Sequence, residues 1–592
     1  MQKLIYTLQK NPARFLLVQA FFSIWALTRA FNLTTRNILI PVLFAVLYRF
    51  FFSVSQLMKK QAPESKKRIQ LSASILGLLF TLFSLLAEHS KLTEGLDNRL
   101  FQAVILAAGT LGLFFLFYHL LLFAFTHAII YTLGKESTPI RSLPLIGFFA
   151  CLLCWLPYFL YEYPGIMTPD SVNQFEQVLR MIPYSNHHPW AHTMTLKCFY
   201  SIGTLFTSDR NAALAFFTLF QMCFMSFCIA WLLATLQKFQ VKNIICLLIL
   251  AFYALTPYHA VFAVTLWKDI LFSGAVLLFT TTLVRLLFLS SAINTKKERL
   301  LTLTLYILSG IMFCLYRTNG WYAFLLSLPF LVFAFRHRLK TMLPAHLVIL
   351  AVALFIKIPI MNAFQVTQPD FVESLCIPIQ QVARVICEDK PLSDEEWESI
   401  HKVIDTTYIK ELYSPGFADN MKELVRAGHP EYLETHKGEY LRLWISLGLR
   451  YPGTYLQAHI DQTIGYWYPD VTYTVGDIDG IIENETGVAN IPLLRGPLVV
   501  KVKEILLKSG NIVPLYGLLT SMGAMFWALL GCITITAMKR HYDRLLPYLP
   551  GLAVILTLFI ATPVSSEFRY AYSLACALPL YLVLPFLYNV KD

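Results

Sequence analysis

Residues 163–192 read YPGIMTPDSVNQFEQVLRMIPYSNHHPWAH, a polar stretch set between long apolar runs. It gathers an acid, Asp170, two amides, Asn173 and Gln174, and three histidines, His187, His188 and His192. Pro164, Gly165 and Pro169 end the preceding helix and make a loop, because proline removes an amide from the helical ladder. A bilayer tolerates such irregular backbone only at its surface or around a wet cavity. The stretch is therefore read as a connection between membrane segments, and the chain as an all-α polytopic membrane protein whose connections carry its chemistry.

Composition agrees. Of 592 residues, 56% are hydrophobic and only 14% charged, and the mean hydropathy is +0.57. Apolar runs of about 18 residues or more, enough to cross a bilayer as a helix, recur throughout. Fourteen spans are expected, near 15–31, 37–55, 70–88, 101–133, 143–161, 211–237, 243–262, 270–289, 300–316, 321–335, 341–358, 512–537, 547–563 and 570–588. The basic start, MQKLIYTLQKNPAR, is followed by no small-residue cleavage site and reads as a retained cytoplasmic end. Most of the eleven cysteines lie in apolar runs and give no zinc pattern. Cys376 and Cys387 fall in a polar region, where a disulfide is open if the region is exported; two free thiols are the expected state.

The net charge of +12 follows topology, and no nucleic-acid partner is expected. With the N-terminus inside, the inside connections carry 22 Lys and Arg against about nine in the short outside ones, the bias that retains basic loops in the cytoplasm. This gives an N-in, C-in chain. Residues 190–206, WAHTMTLKCFYSIGTLF, are short, carry Lys197 and read as a surface or re-entrant helix. Four parts result: a four-helix membrane module over 1–142, a membrane core over 143–358 with an outer loop at 162–210, a mostly helical outside domain over 359–511, and three C-terminal spans over 512–592. In the outside domain Ser393 caps an acidic helix start, and Gly and Asn cluster from Gly476 to Asn490.

On this topology five polar islands map to the outer face: the Asp170–His192 loop; Lys268-Asp269; Arg317-Thr318-Asn319; Ile377 to Arg384 (IPIQQVAR); and Glu567-Phe568-Arg569-Tyr570. Charged residues beside apolar spans are costly and commonly line functional cavities. Cations beside carboxylates suit a phosphate-linked substrate: the cations hold phosphate and stabilise a departing anion, and a carboxylate takes a proton from an incoming hydroxyl. Each island also has a plainer reading. Lys268-Asp269 fits an interfacial ion pair, and Arg317 and Arg569 fit snorkelling anchors. The spacing of His188 and His192 fits a metal pair that lacks a third ligand. Gln380, Gln381 and Arg384 fit the polar face of an amphipathic helix, and Asp170 fits a helix N-cap.

Pro164-Gly165, Asp170-Ser171, Gln174 and His188-Pro189, followed by Lys268-Asp269 and Glu567-Phe568-Arg569-Tyr570, resemble the GT-C superfamily of membrane glycosyltransferases, which includes the protein O-mannosyltransferases and the bacterial aminoarabinose transferases. More narrowly, they resemble a bacterial branch sharing HHP, KD and IPxQQxAR elements. The resemblance covers roughly residues 143–592. It implies a GT-C-like bundle in a bacterial plasma membrane, a polyprenyl-phosphate sugar donor, an exported glycan or cell-wall polymer as acceptor, and an essential acid in the first outer loop of the core, where Asp170 lies. The Asp-Glu pair of the O-mannosyltransferases is absent, so their acceptor is not carried over.

The expected activity is inverting transfer of one sugar on the extracytoplasmic face. Asp170 is the candidate general base, and Lys268, Arg317 and Arg569 the candidate phosphate ligands. Asn173, Gln174, His187, His188, His192, Asp269, Asn319, Gln381, Arg384, Glu567 and Tyr570 are expected to line the substrate site. No cofactor is required, and a divalent metal is not favoured. Besides donor and acceptor, the expected partners are membrane lipids. A polysaccharide polymerase or ligase, needing no carboxylate base, and a lipid-linked sugar flippase or transporter are the alternatives.

Overall fold

Helix length separates the fourteen expected spans into groups. In the computed structural model, which describes residues 12–31, 33–34, 37–133, 135–136, 138–289, 295–473, 478–513 and 515–588, nine helices are long and apolar enough to cross a membrane, or ten counting one bent pair. Residues 1–11 of the basic start, and Gly476, lie outside the described residues. The secondary structure is helical, with only isolated β-bridges among the described residues.

The first compact unit comprises residues 1–132 and 530–545. Its helices are α1 (Pro12–Ala30), α2 (Leu39–Lys59), α3 (Pro63–Thr93) and α4 (Arg99–Ile130). Gly112 of α4 lies so close to α1 that an added Cβ would stand 2.1 Å from the Phe22 carbonyl oxygen. Ser23 Oγ donates to the Gly112 carbonyl there at 3.0 Å. Small residues allow such contact between apolar helices.

The second unit comprises residues 133–529 and 546–592. Its first part contains α5 (Leu143–Tyr161), α6 (Pro169–Val178), α7 (Trp190–Thr204), α8 (Arg210–Lys238), α9 (Asn243–Leu255), α10 (Pro257–Ala263), α11 (Lys268–Phe288), α12 (Lys296–Leu315), α13 (Thr318–Ala334) and α14 (Leu339–Phe355). A π-helical turn, Ile356–Ile360, continues α14. Helices α9 and α10 meet at 57°, where Pro257 interrupts the ladder. Helix α7 has 15 residues, about 22 Å of rise against a hydrocarbon core of about 30 Å.

Between Phe371 and Thr463 several short helices form over a core of their own, built on α15 (Cys376–Cys387), α16 (Asp419–Ala427), α17 (Lys437–Arg450) and α18 (Pro452–Thr463). Cys376 and Cys387 are free. They stand at opposite ends of α15, eleven residues or about 16 Å apart, beyond disulfide reach.

Helix α19 (Pro497–Ile512) precedes α20 (Met522–Met538), α21 (Leu549–Ala561) and α22 (Phe568–Val583). The segment expected at 512–537 thus begins about ten residues late. It and α13 have 17 residues each and fall short of the nine. Helices α1 and α22 are likewise helical but outside the nine.

Helix α11 organises the second unit. It is apolar all round, and nearly every residue after Lys268 is buried, the pattern of a helix enclosed by others. It packs against α8, α12 and α22. Its first residues, Lys268 and Asp269, are thereby carried to the middle of one end of the bundle.

Candidate functional site

The loop before α6 is held by backbone pairing. Ile166 N donates to the Val264 carbonyl at 2.9 Å, and Leu266 N to the Ile166 carbonyl at 3.0 Å. On the other side Met167 pairs with residues 480–482. Gly165, at φ +149°, has no room for a side chain: a Cβ would meet Leu266 at 2.4 Å and Thr218 Oγ1 at 2.7 Å. Thr168, not Asp170, is the N-cap residue of α6, and its hydroxyl accepts from the Trp267 indole at 2.8 Å. The starts of α6 and α11 are therefore tied side by side, with Asp170 in the first turn of one and Lys268 opening the other.

Asp170 Oδ2 accepts from Lys268 Nζ at 2.8 Å and from Arg569 Nη1 at 3.0 Å. Both contacts fall on one oxygen; Oδ1 has no hydrogen bond among the described residues. The side chain keeps 25% of its exposure, so the carboxylate is reachable. Burial alone would raise its pKa, but Lys268, then Arg569, hold it well below the usual carboxylate range. His188 Nδ1 lies 3.0 Å from Lys268 Nζ. Burial, then the lysine charge, pushes this imidazole down to about 2, so it is neutral, accepts at Nδ1 and carries its proton on Nε2. The cations on Asp170 come from 98 and 399 residues away, so nothing in the sequence next to it announces them.

A second pair lies beside the first. Asp269 is fully buried, with Arg317 Nη1 2.5 Å from its Oδ1. The same guanidinium lies 4.6 Å from the centre of the Tyr570 ring. Arg569 lies 4.5 Å from the Trp267 ring centre, and its Nε is 3.6 Å from Glu567 Oε1. Burial raises the pKa of the Glu567 carboxyl. Four of the five islands thus converge, each at the start of a helix: α6, α11, α13 and α22.

The remaining loop residues have separate duties. Gln174 and His192 are buried; His192 Nδ1 donates to Gln174 Oε1 at 3.0 Å, and Gln174 Nε2 to Thr193 Oγ1 at 2.8 Å. Asn173 accepts from Gln177 at 3.0 Å. His187 is exposed and stacks edge-on against His188. Asn319 donates to Thr557 at 3.1 Å. The metal-pair reading of His188 and His192 finds no third ligand: no group of three or more His, Cys, Asp or Glu fit for a metal ion occurs among the described residues.

The fifth island stands apart. Gln381 donates to the Tyr455 carbonyl at 3.2 Å and accepts from the Trp444 indole at 2.8 Å. Gln380 donates to the Ser414 carbonyl at 2.7 Å. Arg384 is paired with Glu388 and Asp461. These side chains brace the 359–511 region, and the expectation that Gln381 and Arg384 line the Asp170 site is not met, because their polar groups are used within that region.

Two features escaped the sequence reading. Glu162 is buried and accepts from Gly480 N at 2.9 Å and Asn490 Nδ2 at 3.2 Å, fastening residues 480–490 to the loop. Burial, then a hydrogen bond with Asp479, pushes its carboxyl up to about 7. Its position after an apolar run was the available signal. Lys357 sits in the π-helical turn, 5.4 Å from the Trp321 ring centre; it was hidden in a stretch read as apolar span.

No solved structure and no curated protein matches the chain. A family match covers residues 180–591. It includes His188, Lys268, Arg317 and Arg569 and begins after Asp170. On that match the chain belongs to the family of unknown function DUF6020.

Proposed function

We propose that the chain is a multi-pass glycosyltransferase of GT-C type in the bacterial plasma membrane, moving a sugar from a polyprenyl-phosphate donor to an exported glycan or cell-wall polymer. One observation carries the reading: a reachable carboxylate holds two cations at a point where four helices begin, at one end of an apolar bundle. Helix starts carry partial positive charge and favour anions. With Lys268 and Arg569 they make a site for a phosphate, and Asp170 is the anion that occupies it at rest.

The donor phosphate competes with Asp170 for Lys268 and Arg569. As these cations turn to the phosphate, the carboxylate loses its stabilising charges and becomes a stronger base. Oδ1 then takes the acceptor hydroxyl proton, the acceptor oxygen bonds to the anomeric carbon from the opposite face, and the carbon–oxygen bond to the lipid phosphate breaks. The anomeric centre inverts, and the cations hold the departing phosphate. Arg317, already paired with Asp269, stands behind them. A polymerase or ligase is the second reading, favoured by the depressed pKa of Asp170, since there the carboxylate only positions cations. The one-ended placement of the polar cluster weighs against a transporter, which needs polar residues at mid-membrane.

Comparison of surface glycans by mass spectrometry between wild-type and deletion strains tests the activity; an unchanged glycan profile removes the reading. Arg569→Ala is expected to cost on the order of 2–3 kcal/mol of transition-state binding, a loss of roughly 30- to 150-fold in transfer. The protein should still accumulate in the membrane; full activity would leave Arg569 as an anchor for Asp170 and Trp267.

Sidedness is testable separately. At the end of α11 away from Asp170, Lys238 and Arg285 gather on Glu298 at 2.7 Å and 3.6 Å, in keeping with a basic cytoplasmic end. A reporter fused after Lys297 is expected in the cytoplasm, and one fused after Asn490 outside. Both in one compartment would remove the N-in, C-in topology.

A further inference from the structure

At the end of the bundle away from Asp170, the last turn of α11, the first turns of α12 and the start of α14 enclose a cavity of about 990 Å³. Its floor is apolar, made by Leu286, Leu303, Phe335 and Met342, all but Leu303 buried. Its rim is basic: Lys296, Arg299, Arg336, Arg338 and Lys340, with His337 between them. Among the described residues no carboxylate lines it. Glu298, the acid in the same turn as Lys296 and Arg299, is already neutralised by Lys238 and Arg285. Lys296, Arg299, Arg336 and Lys340 form no salt bridge among the described residues. Arg338 Nη1 donates to the Leu286 carbonyl at 2.9 Å, fixing one wall.

Lys296, Arg299, Arg336 and Lys340, four cations with no ion-pair partner among the described residues, repel one another, and an anion held between them relieves that repulsion. The floor says what kind. A free inorganic anion gains nothing from Leu286, Phe335 and Met342, whereas an amphiphile places phosphate on the rim and its apolar part below. Basic pockets between membrane helices at a cytoplasmic end have this character. We propose that the cavity is a binding site for the phosphate-bearing headgroup of an anionic membrane lipid. The proposal rests on α11, α12 and α14 crossing the membrane and is independent of the transferase reading.

The full-length protein, purified in detergent, is titrated with phosphatidylglycerol, phosphatidylcholine and inorganic phosphate, with bound lipid followed by native mass spectrometry and thermal stability measured in parallel. Phosphatidylglycerol is expected to bind at least tenfold more tightly than phosphatidylcholine and to stabilise the protein. The triple variant Arg299→Gln/Arg336→Gln/Lys340→Gln changes exposed side chains and should fold, yet lose roughly a hundredfold in phosphatidylglycerol affinity. A control, Lys59→Gln/Lys60→Gln/Lys67→Gln, removes three exposed charges from another basic connection and should bind as wild type. Equal losses in the two triple variants would reduce the effect to diffuse surface charge and overturn the site. Equal stabilisation by inorganic phosphate, or equal binding of phosphatidylcholine, would overturn the lipid assignment.

Discussion

Asp170→Asn is expected to give a folded protein that binds donor and transfers almost no sugar. A sugar hydroxyl is a weak nucleophile at neutral pH, and a positioned base contributes roughly a hundredfold to ten-thousandfold. Asparagine keeps the size of the side chain, and because Thr168 is the N-cap residue of α6, no cap is lost. What disappears is the charge shared by Lys268 and Arg569. Losing these charge-assisted contacts should lower stability by on the order of 1–3 kcal/mol. The same loss removes the anion that competes with the donor phosphate, so donor affinity should rise while turnover falls. A purely structural aspartate would not produce that opposite movement. The stability difference has a fixed pH signature. The folded-state pKa of Asp170 is depressed, so its contribution is fully present above the ordinary carboxylate value of about 4 and lost as pH falls below it. Wild type and variant should therefore converge in acid. Less than a tenfold drop in transfer, with donor affinity unchanged, would leave Asp170 as a holder of cations and favour the polymerase or ligase.

The helical architecture was legible because apolar runs of spanning length admit few alternatives. Helix α11 shows the limit: its sequence reads like any span, yet it is the enclosed one, and only packing distinguishes it. The polar islands were legible as types and positions, since charges beside apolar runs stand out. Their pairing was not. The sequence next to Asp170 gives no sign of a cation, while Lys268 and Arg569 reach it from distant helices. Gln381 and Arg384 show the opposite failure: a conspicuous polar motif, IPIQQVAR, serves the interior of another region because buried backbone carbonyls there need donors. Lys357 was missed because one lysine scarcely alters the hydropathy of its run.

The second large effect concerns the buried pair beneath the site. Asp269 is wholly enclosed at the start of α11, and Arg317 is its only ion-pair partner among the described residues. Replacing one member of a buried pair leaves the other charge uncompensated, at a cost of about 3–5 kcal/mol. Asp269→Ala is therefore expected to reduce folded protein in the membrane sharply, the Tyr570 carbonyl at 3.4 Å and the Tyr570 ring being poor substitutes for a carboxylate. Removing both charges should recover much of the loss, since apolar groups of similar volume often replace a buried pair without penalty. The double variant Asp269→Ala/Arg317→Met thus separates two roles. If Arg317 only braces α11 against α22, the double variant folds and still transfers sugar within a few-fold of wild type. If Arg317 binds the donor phosphate, it folds but loses transfer to a degree comparable with Arg569→Ala. Wild-type stability in Asp269→Ala alone would show that the pair does not brace the helix ends, and the site would then depend on Lys268, Arg569 and Asp170 alone.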